Sequence, residues 1–130
     1  MNSSTEIESV VQRQLEAYNQ RDLEVLLAVY ADDAEMYEHP STLLAQGTAA
    51  LRERFSVRFQ EANLHAQLLN RTVMGSHVVD HELVTRTFPE GPGTLELIMI
   101  YQVRAGRIAR VWSIAGTKTL AAAEKPAEGR

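Results

Sequence analysis

Two carboxylates and a guanidinium alternate along one segment of the chain. In the run VVDHELVTRTF, Asp80, Glu82, Val84 and Arg86 occupy every second position. Successive side chains of a strand point to opposite faces, so these four share one face and His81 lies on the other. Clustered carboxylates in a shielded space raise one another's pKa, and a nearby arginine lowers it, which suits general acid–base catalysis.

The alternation does not say whether this face lines a cavity or meets water. A solvated sheet face carries the same mixture of acidic and basic residues, so that interpretation stays open. A register slip of one residue would exchange Asp80 and Glu82 for His81.

A further carboxylate, Glu38, stands beside His39. The residues EMYEH at 35–39 predict a short strand, which Pro40 ends. Glu38 is the first candidate for a catalytic base, and His39 is the second. The four histidines include no H-x-x-x-H or comparable pair, so the sequence predicts neither a metal site nor another cofactor.

Helical patterns come first along the chain. Ser3 is a candidate N-cap, and apolar residues then recur at helical spacing from Ile7 to Tyr18, with Gln14 as the polar member of the stripe. A buried amide without partners costs about 1–3 kcal/mol, so Gln14 needs hydrogen-bond partners. Asp22 predicts the start of a second helix, whose inner face includes Tyr30.

The remaining elements follow from caps, turns and period. Thr48 is the expected cap of a third helix, after a loop over residues 41–46. From Leu64 onward the apolar period is two, and turn sequences at 75–76, 89–93 and 105–106 predict a four-stranded antiparallel meander. Helices segregated from strands indicate an α+β fold.

Composition limits the kind of partner. The chain has 130 residues, 45% of them hydrophobic, which fits one globular domain. A net charge of −4 with no basic cluster argues against nucleic acid. No signal peptide or membrane span is visible in the sequence, and no cysteine is present. We therefore expect a cytoplasmic protein without membrane association.

The stretch VVQRQLEAYNQRDLEVLLAVYADDAEMYEHP, followed by GTAALRERF, resembles the start of ketosteroid isomerases and SnoaL-like polyketide cyclases. VVQR, the DL after the first helix, ADDA and GTAALR match the isomerase pattern, and AGRIARVWSIAG has the form of the family's last strand. The similarity runs from about Val10 to about Val103. It implies the nuclear transport factor 2-like fold, a cone-shaped curved antiparallel sheet wrapped around three N-terminal helices.

The resemblance also assigns positions in the site. Glu38 falls where ketosteroid isomerases have their catalytic Asp, Gln14 where they have a Tyr, and Met99 where they have a protonated Asp. A thioether cannot donate a hydrogen bond, and losing one oxyanion donor typically costs about two to three powers of ten in rate. A true ketosteroid isomerase is therefore not expected. The predicted catalytic residues are Glu38, Glu82 and His39, and the predicted substrate-binding residues are Gln14, Tyr18, Asp80, Arg86 and Met99.

Three functions remain open. The first is an isomerase, cyclase or lyase in which Glu38 moves a proton next to a carbonyl of a small polar molecule. The second is activation of water on an epoxide, as in limonene epoxide hydrolases of the same fold, with Asp80, Glu82 and Arg86. The third is a non-catalytic ligand-binding or dimerisation domain whose cone is filled by side chains.

Side chains alternate between the two faces of the last two strands, and this alternation predicts an apolar outer face. An exposed apolar patch of this kind marks a protein interface more often than a ligand site. We expect a homodimer through this face, and the resemblance implies the same pairing. The domain is expected to span residues 1–116, with a flexible tail over 117–130. The predicted interface residues are Ile98, Ile100, Trp112 and Ile114.

Overall fold

The computed structural model describes residues 3–121. The first helix, α1 (Ser4–Gln20), begins with a capping box: the Ser3 hydroxyl accepts from the Glu6 N–H at 3.1 Å, and the Glu6 carboxylate accepts from the Ser3 N–H at 2.8 Å. The second helix, α2 (Leu23–Ala28), begins at Asp22, as predicted.

The third helix, α3 (Thr48–Arg58), begins one residue earlier than expected. Gly47 is its N-cap, and no side chain caps it, so the prediction of a Thr48 cap was wrong. Gly47 has a φ of 88°, in the left-handed region that glycine adopts without a steric penalty.

Six strands form one sheet in the order β2-β1-β6-β5-β4-β3. Strands β1 and β6 pair in parallel, and the other pairs are antiparallel. The sheet is therefore mixed, rather than antiparallel throughout as the sequence predicts. Its strands are β1 (Tyr30–Glu38), β2 (Thr42–Gln46), β3 (His65–Met74), β4 (His77–Phe88), β5 (Gly91–Arg104) and β6 (Arg107–Leu120).

The first two strands differ most from the sequence analysis. β1 starts at Tyr30, which was expected on the second helix, and continues to Glu38. The segment predicted as a loop over 41–46 contains β2, which pairs with β1 through Glu38↔Thr42 and Glu35↔Gln46. Short strands at a sheet edge have few residues over which an apolar period can be seen, so the pattern did not reveal this one.

The last strand is longer than predicted. β6 continues to Leu120, which pairs with Gly93, so residues 117–120 extend the sheet beyond the expected boundary at Gly116. A side chain at Gly93 would meet the Thr119 carbonyl oxygen at 2.3 Å, so this close pairing requires glycine. Residues 122–130 of the predicted tail lie outside the described residues.

The helices cover one face of the sheet. On β4, Val78, Asp80, Glu82 and Val84 are buried, whereas the intervening residues are partly exposed. The face that carries Asp80 and Glu82 is therefore turned toward the interior, and His81 lies on the outer face. Among residues 3–121, no helix has the length and apolar character needed to span a membrane.

Candidate functional site

A cavity of about 280 Å³ lies between the helices and the concave face of the sheet. This volume is just below the range of about 300–1,000 Å³ that is usual for ligand pockets. The cone is therefore open rather than filled. Its polar lining residues are Gln14, Tyr18, Tyr30, Tyr37, Glu38, Arg54, Arg58, Glu82, Arg86, Tyr101 and Ser113, and its apolar ones include Phe55, Val84, Leu95, Leu97 and Met99.

Glu82 is the buried acid of this cavity. The residue is 5% exposed, and its carboxyl has no hydrogen-bond or ion-pair partner within residues 3–121. Burial, with a smaller contribution from the charge of Asp80, raises the pKa of Glu82 to about 8, although Arg71 opposes the shift. A carboxyl that titrates near neutrality can both give and take a proton at physiological pH.

Asp80 lies on the same face as Glu82 but does not line the cavity. Its carboxylate accepts two hydrogen bonds from Arg71, from Nε at 2.7 Å and from Nη2 at 2.9 Å. Arg71 also donates to the Gln12 side chain at 2.8 Å. The prediction that Asp80 contacts substrate is therefore not supported by its position, because a neighbouring strand supplies it with a cation. Its negative charge acts instead on Glu82.

Gln14 forms part of a hydrogen-bonded chain at the inner end of the cavity. The Tyr101 hydroxyl donates to Gln14 Oε1 at 3.2 Å, and Gln14 Nε2 lies 3.4 Å from the Tyr30 hydroxyl, to which it donates. The amide thus has the partners that its burial requires. In the described part of the chain no side chain accepts the Tyr30 proton, which leaves that phenol able to donate to a molecule in the cavity.

The other predicted residues are distributed between the cavity and the surface. Glu38 is exposed and lines the cavity where β1 ends, and Met99 and Tyr18 also line it. Burial raises the pKa of Tyr18, so this phenol stays protonated at neutral pH. His39 is exposed and does not line the cavity.

Three guanidinium groups line the cavity and also border a second depression on the outer side of α3. We call this set, Arg54, Arg58 and Arg86, the arginine entrance. Arg86 donates to the two carboxylate oxygens of Glu61, at 2.7 and 3.2 Å, and Arg58 lies 3.6 Å from the same carboxylate. Arg54 has no ion-pair partner in the segment 3–121. Burial and the neighbouring arginines lower the pKa of Arg54.

Two of these arginines, Arg54 and Arg58, and the phenols of Tyr30 and Tyr101 were not among the site residues predicted from the sequence. Arg54 and Arg58 are four residues apart and each precedes a residue of the apolar stripe of α3, so they border its buried face. That spacing was the available signal. Tyr30 was predicted on the inner face of the second helix, and it lies in both the core and the cavity wall. Tyr101 is fully buried and also lines the cavity.

No set of three or more histidine, aspartate or glutamate residues within 3–121 is arranged to hold a metal ion. On the outer face of the sheet, His81 is bonded to Glu96 at 2.6 Å. This outward position also resolves the register question, since Glu82 and not His81 faces the cavity.

The SnoaL-like domain family model matches residues 11–111. The chain therefore belongs to the SnoaL-like family. None of the curated proteins matches the sequence. The match covers most of the fold described above, from α1 into β6.

Solved structures of similar shape come from several bacteria. A protein of Kribbella flavida provisionally named ketosteroid isomerase has a TM-score of 0.74 and 16% identity, over 87% of this chain and 79% of that one. A cystatin-fold protein of Novosphingobium aromaticivorans has a TM-score of 0.74 and 22% identity, over 84% and 97%. A protein of Sinorhizobium meliloti provisionally named polyketide cyclase has a TM-score of 0.69 and 24% identity, over 86% and 99%. At these identities the likeness establishes the nuclear transport factor 2-like fold.

Proposed function

We propose that this SnoaL-like domain binds a small polar organic molecule in its cavity and transfers a proton on it, in an isomerase, cyclase or lyase type of reaction. The observation that supports this most is Glu82, a buried carboxyl that lines the cavity, has no partner within residues 3–121 and has its pKa raised to about 8 by burial. Strongly perturbed groups in a cleft are candidates for catalysis.

In the proposed reaction, the ionised form of Glu82 takes a proton from the carbon next to a carbonyl. The electrons of the C–H bond move into an enolate, whose oxygen accepts a hydrogen bond from Tyr30. Gln14 holds Tyr30 in place and is itself held by Tyr101. Glu82 then returns the proton to the same carbon or to another one. This arrangement gives the cavity a donor even though Met99 cannot supply one.

Glu38 remains the rival base, as the family resemblance implies. Its exposed position at the end of β1 places it in contact with water, whereas Glu82 is shielded. A shielded carboxyl is better suited to remove a weakly acidic proton, because its neutral form is favoured by its surroundings. We therefore assign proton transfer to Glu82 and leave Glu38 at the entrance.

The epoxide alternative has less support. It requires an arginine between two acidic groups, but Arg86 donates to Glu61 and Asp80 pairs with Arg71. The non-catalytic alternative is disfavoured by the open cavity, although a pocket that only binds would also be open. Measurement of catalysis is needed to separate binding from turnover.

Exchange of carbon-bound hydrogen tests the proposal without knowledge of the natural substrate. The protein is mixed with 4-oxocyclohexanecarboxylate or cyclohexanone in D2O at neutral pH, and loss of the α-proton signal is followed by NMR. We expect exchange above the buffer rate with at least one probe, and a loss of about a hundredfold or more in Glu82→Gln, because removing a general base typically costs that much. Glu90→Gln, a change in the exposed turn between β4 and β5 that lines neither the cavity nor the depression beside α3, is the control.

Two outcomes would overturn parts of this proposal. If Glu38→Gln loses exchange and Glu82→Gln keeps it, the base is Glu38. Exchange at the buffer rate with both probes would favour the non-catalytic ligand-binding alternative.

We also propose that the chain forms a homodimer through the outer face of the sheet. Ile98 pairs in register with Ile114 and Ile100 with Trp112, and the Trp112 ring stacks on Tyr37 with centroids 6.0 Å apart. These apolar side chains are only partly covered in the single chain. A dimer would remove them from water, and paired aromatic residues are frequent in interface cores. The cytoplasmic location stays a prediction.

A further inference from the structure

We infer that the arginine entrance recognises a carboxylate, so that the substrate class is a small organic monoacid with an apolar body. This inference rests on the proposed function, since it names the substrate class of the same cavity. It comes from the placement of Arg54, Arg58 and Arg86, which border both the cavity and the depression outside it. Among the described residues, these are the charged side chains that the cavity and the depression share.

Ion pairs in the described residues engage two of the three arginines at the entrance. Arg86 and Arg58 share the carboxylate of Glu61, and Arg54 has no ion-pair partner within residues 3–121. Glu53 and Glu61 border the depression and Glu38 lines the cavity, but in the segment 3–121 neither Glu53 nor Glu38 lies within ion-pair distance of these arginines. The carboxylate of a ligand would therefore supply the ion-pair partner that Arg54 lacks within these residues.

Arg54 is the arginine with capacity left for a ligand. It is partly buried, and its guanidinium carries five donors in a planar fork that matches a carboxylate. Desolvation and repulsion from Arg58 and Arg86 disfavour the charged form of Arg54 and lower its pKa. A bound carboxylate would relieve both effects, because it supplies an opposite charge and hydrogen-bond acceptors in the same place.

The other lining residues of the cavity indicate the chemistry of the rest of the ligand. Phe55, Leu95 and Leu97 give the cavity an apolar wall, and Tyr30 and Glu82 give it a buried donor and a buried acid. A fitting molecule has a carboxylate at one end, a cyclic or branched hydrocarbon body and a carbonyl at the other end. At about 280 Å³ the cavity is suited to one ring rather than to a steroid.

Matched acids and amides test the inference by binding alone. Benzoate and cyclohexanecarboxylate are titrated against benzamide and cyclohexanecarboxamide, with dissociation constants measured by protein NMR. We expect each acid to bind at least about tenfold more tightly than its amide, because a charge-assisted hydrogen bond is stronger than a neutral one. Arg54→Gln should weaken binding of the acids about tenfold or more, and Arg54→Lys should weaken it less because the charge is kept.

Arg52→Gln is the matched control on the same helix, because Arg52 is bonded to Glu24 and does not line the cavity. It should leave binding of the acids within about twofold of the original protein, as expected for a surface charge. Equal binding of acid and amide, no binding of either acid, or unchanged binding in Arg54→Gln would overturn the inference. The Lys variant keeps the test valid if the Gln variant does not fold.

Failure of this inference can be separated from failure of the proposed function. If cyclohexanone exchanges its α-protons and benzoate does not bind, proton transfer is supported and carboxylate recognition is refuted. If benzoate binds through Arg54 but neither ketone probe exchanges, carboxylate recognition is supported and proton transfer is refuted.

Discussion

Replacing Glu82 with Gln should change how stability depends on pH. The pKa of Glu82 is about 8 in the folded protein, against an ordinary value of 4.5. Between these values the folded state holds a proton that the unfolded state has lost. The free energy of unfolding therefore falls as pH rises through this range, and below about pH 4.5 the contribution no longer changes.

The size of the effect follows from the two pKa values. Linkage gives a loss of about 2.5 kcal/mol in the free energy of unfolding between about pH 5.5 and about pH 7.5. Gln has nearly the shape of a protonated Glu and does not titrate, so the free energy of unfolding of Glu82→Gln should not fall in this way. Over the same interval the variant's free energy of unfolding should rise by about 2.5 kcal/mol relative to that of the original protein.

Urea unfolding followed by the fluorescence of Trp112, the single tryptophan, measures this difference. Curves are recorded for the original protein, Glu82→Gln and the exposed-surface control Glu53→Gln at each pH. The free energy of unfolding of the control should depend on pH in the same way as that of the original protein. If the free energy of unfolding of Glu82→Gln also has this pH dependence, Glu82 does not retain its proton in the folded state, and its burial does not raise its pKa as proposed.

Three further predictions concern its neighbours and the sheet face. Asp80→Asn removes a negative charge and frees a buried arginine, so the pKa of Glu82 should fall and the pH dependence of unfolding should become shallower; an equal or steeper dependence would contradict this. The protein should sediment as a dimer at micromolar concentration and Trp112→Glu should sediment as a monomer, whereas a dimer unaffected by that change would exclude this face. A β,γ-unsaturated ketosteroid should not be isomerised measurably, because the cavity is small and Met99 cannot donate to an oxyanion; rapid turnover seen by absorbance would refute this.

Local patterns were sufficient to predict much of the fold. The helical stripe with Gln14 in it, the alternation on β4 and the turn sequences identify α1 and the hairpins of β3 to β6. Each of these signals lies within one element, so it survives without knowledge of the rest of the chain. β2 and the parallel pairing of β1 with β6 depend on contacts between distant segments, and a single sequence does not display them.

The candidate site shows the same division between local and distant information. Alternation places Asp80 and Glu82 on one face, and the resemblance orients that face toward the helices. Neither distinguishes the two carboxylates. The distinction comes from Arg71 on the neighbouring strand, which lies directly opposite Asp80 and forms an ion pair with it, while Glu82 lies opposite the apolar Leu68.

That pairing depends on a register shift between Leu68 and Asn70. Leu69 has no partner on β4, so Asn70 pairs with His81 and Arg71 pairs with Asp80. Had the pairing continued from Leu68 without the extra residue, Asn70 would have faced Asp80, and an amide cannot match a buried carboxylate as a guanidinium does. Bulges of this kind re-aim side chains near functional sites. The bulge therefore pairs the buried guanidinium of Arg71 with Asp80. Within residues 3–121 it leaves Glu82 without a hydrogen-bond or ion-pair partner and facing the cavity, with its pKa raised to about 8 by burial.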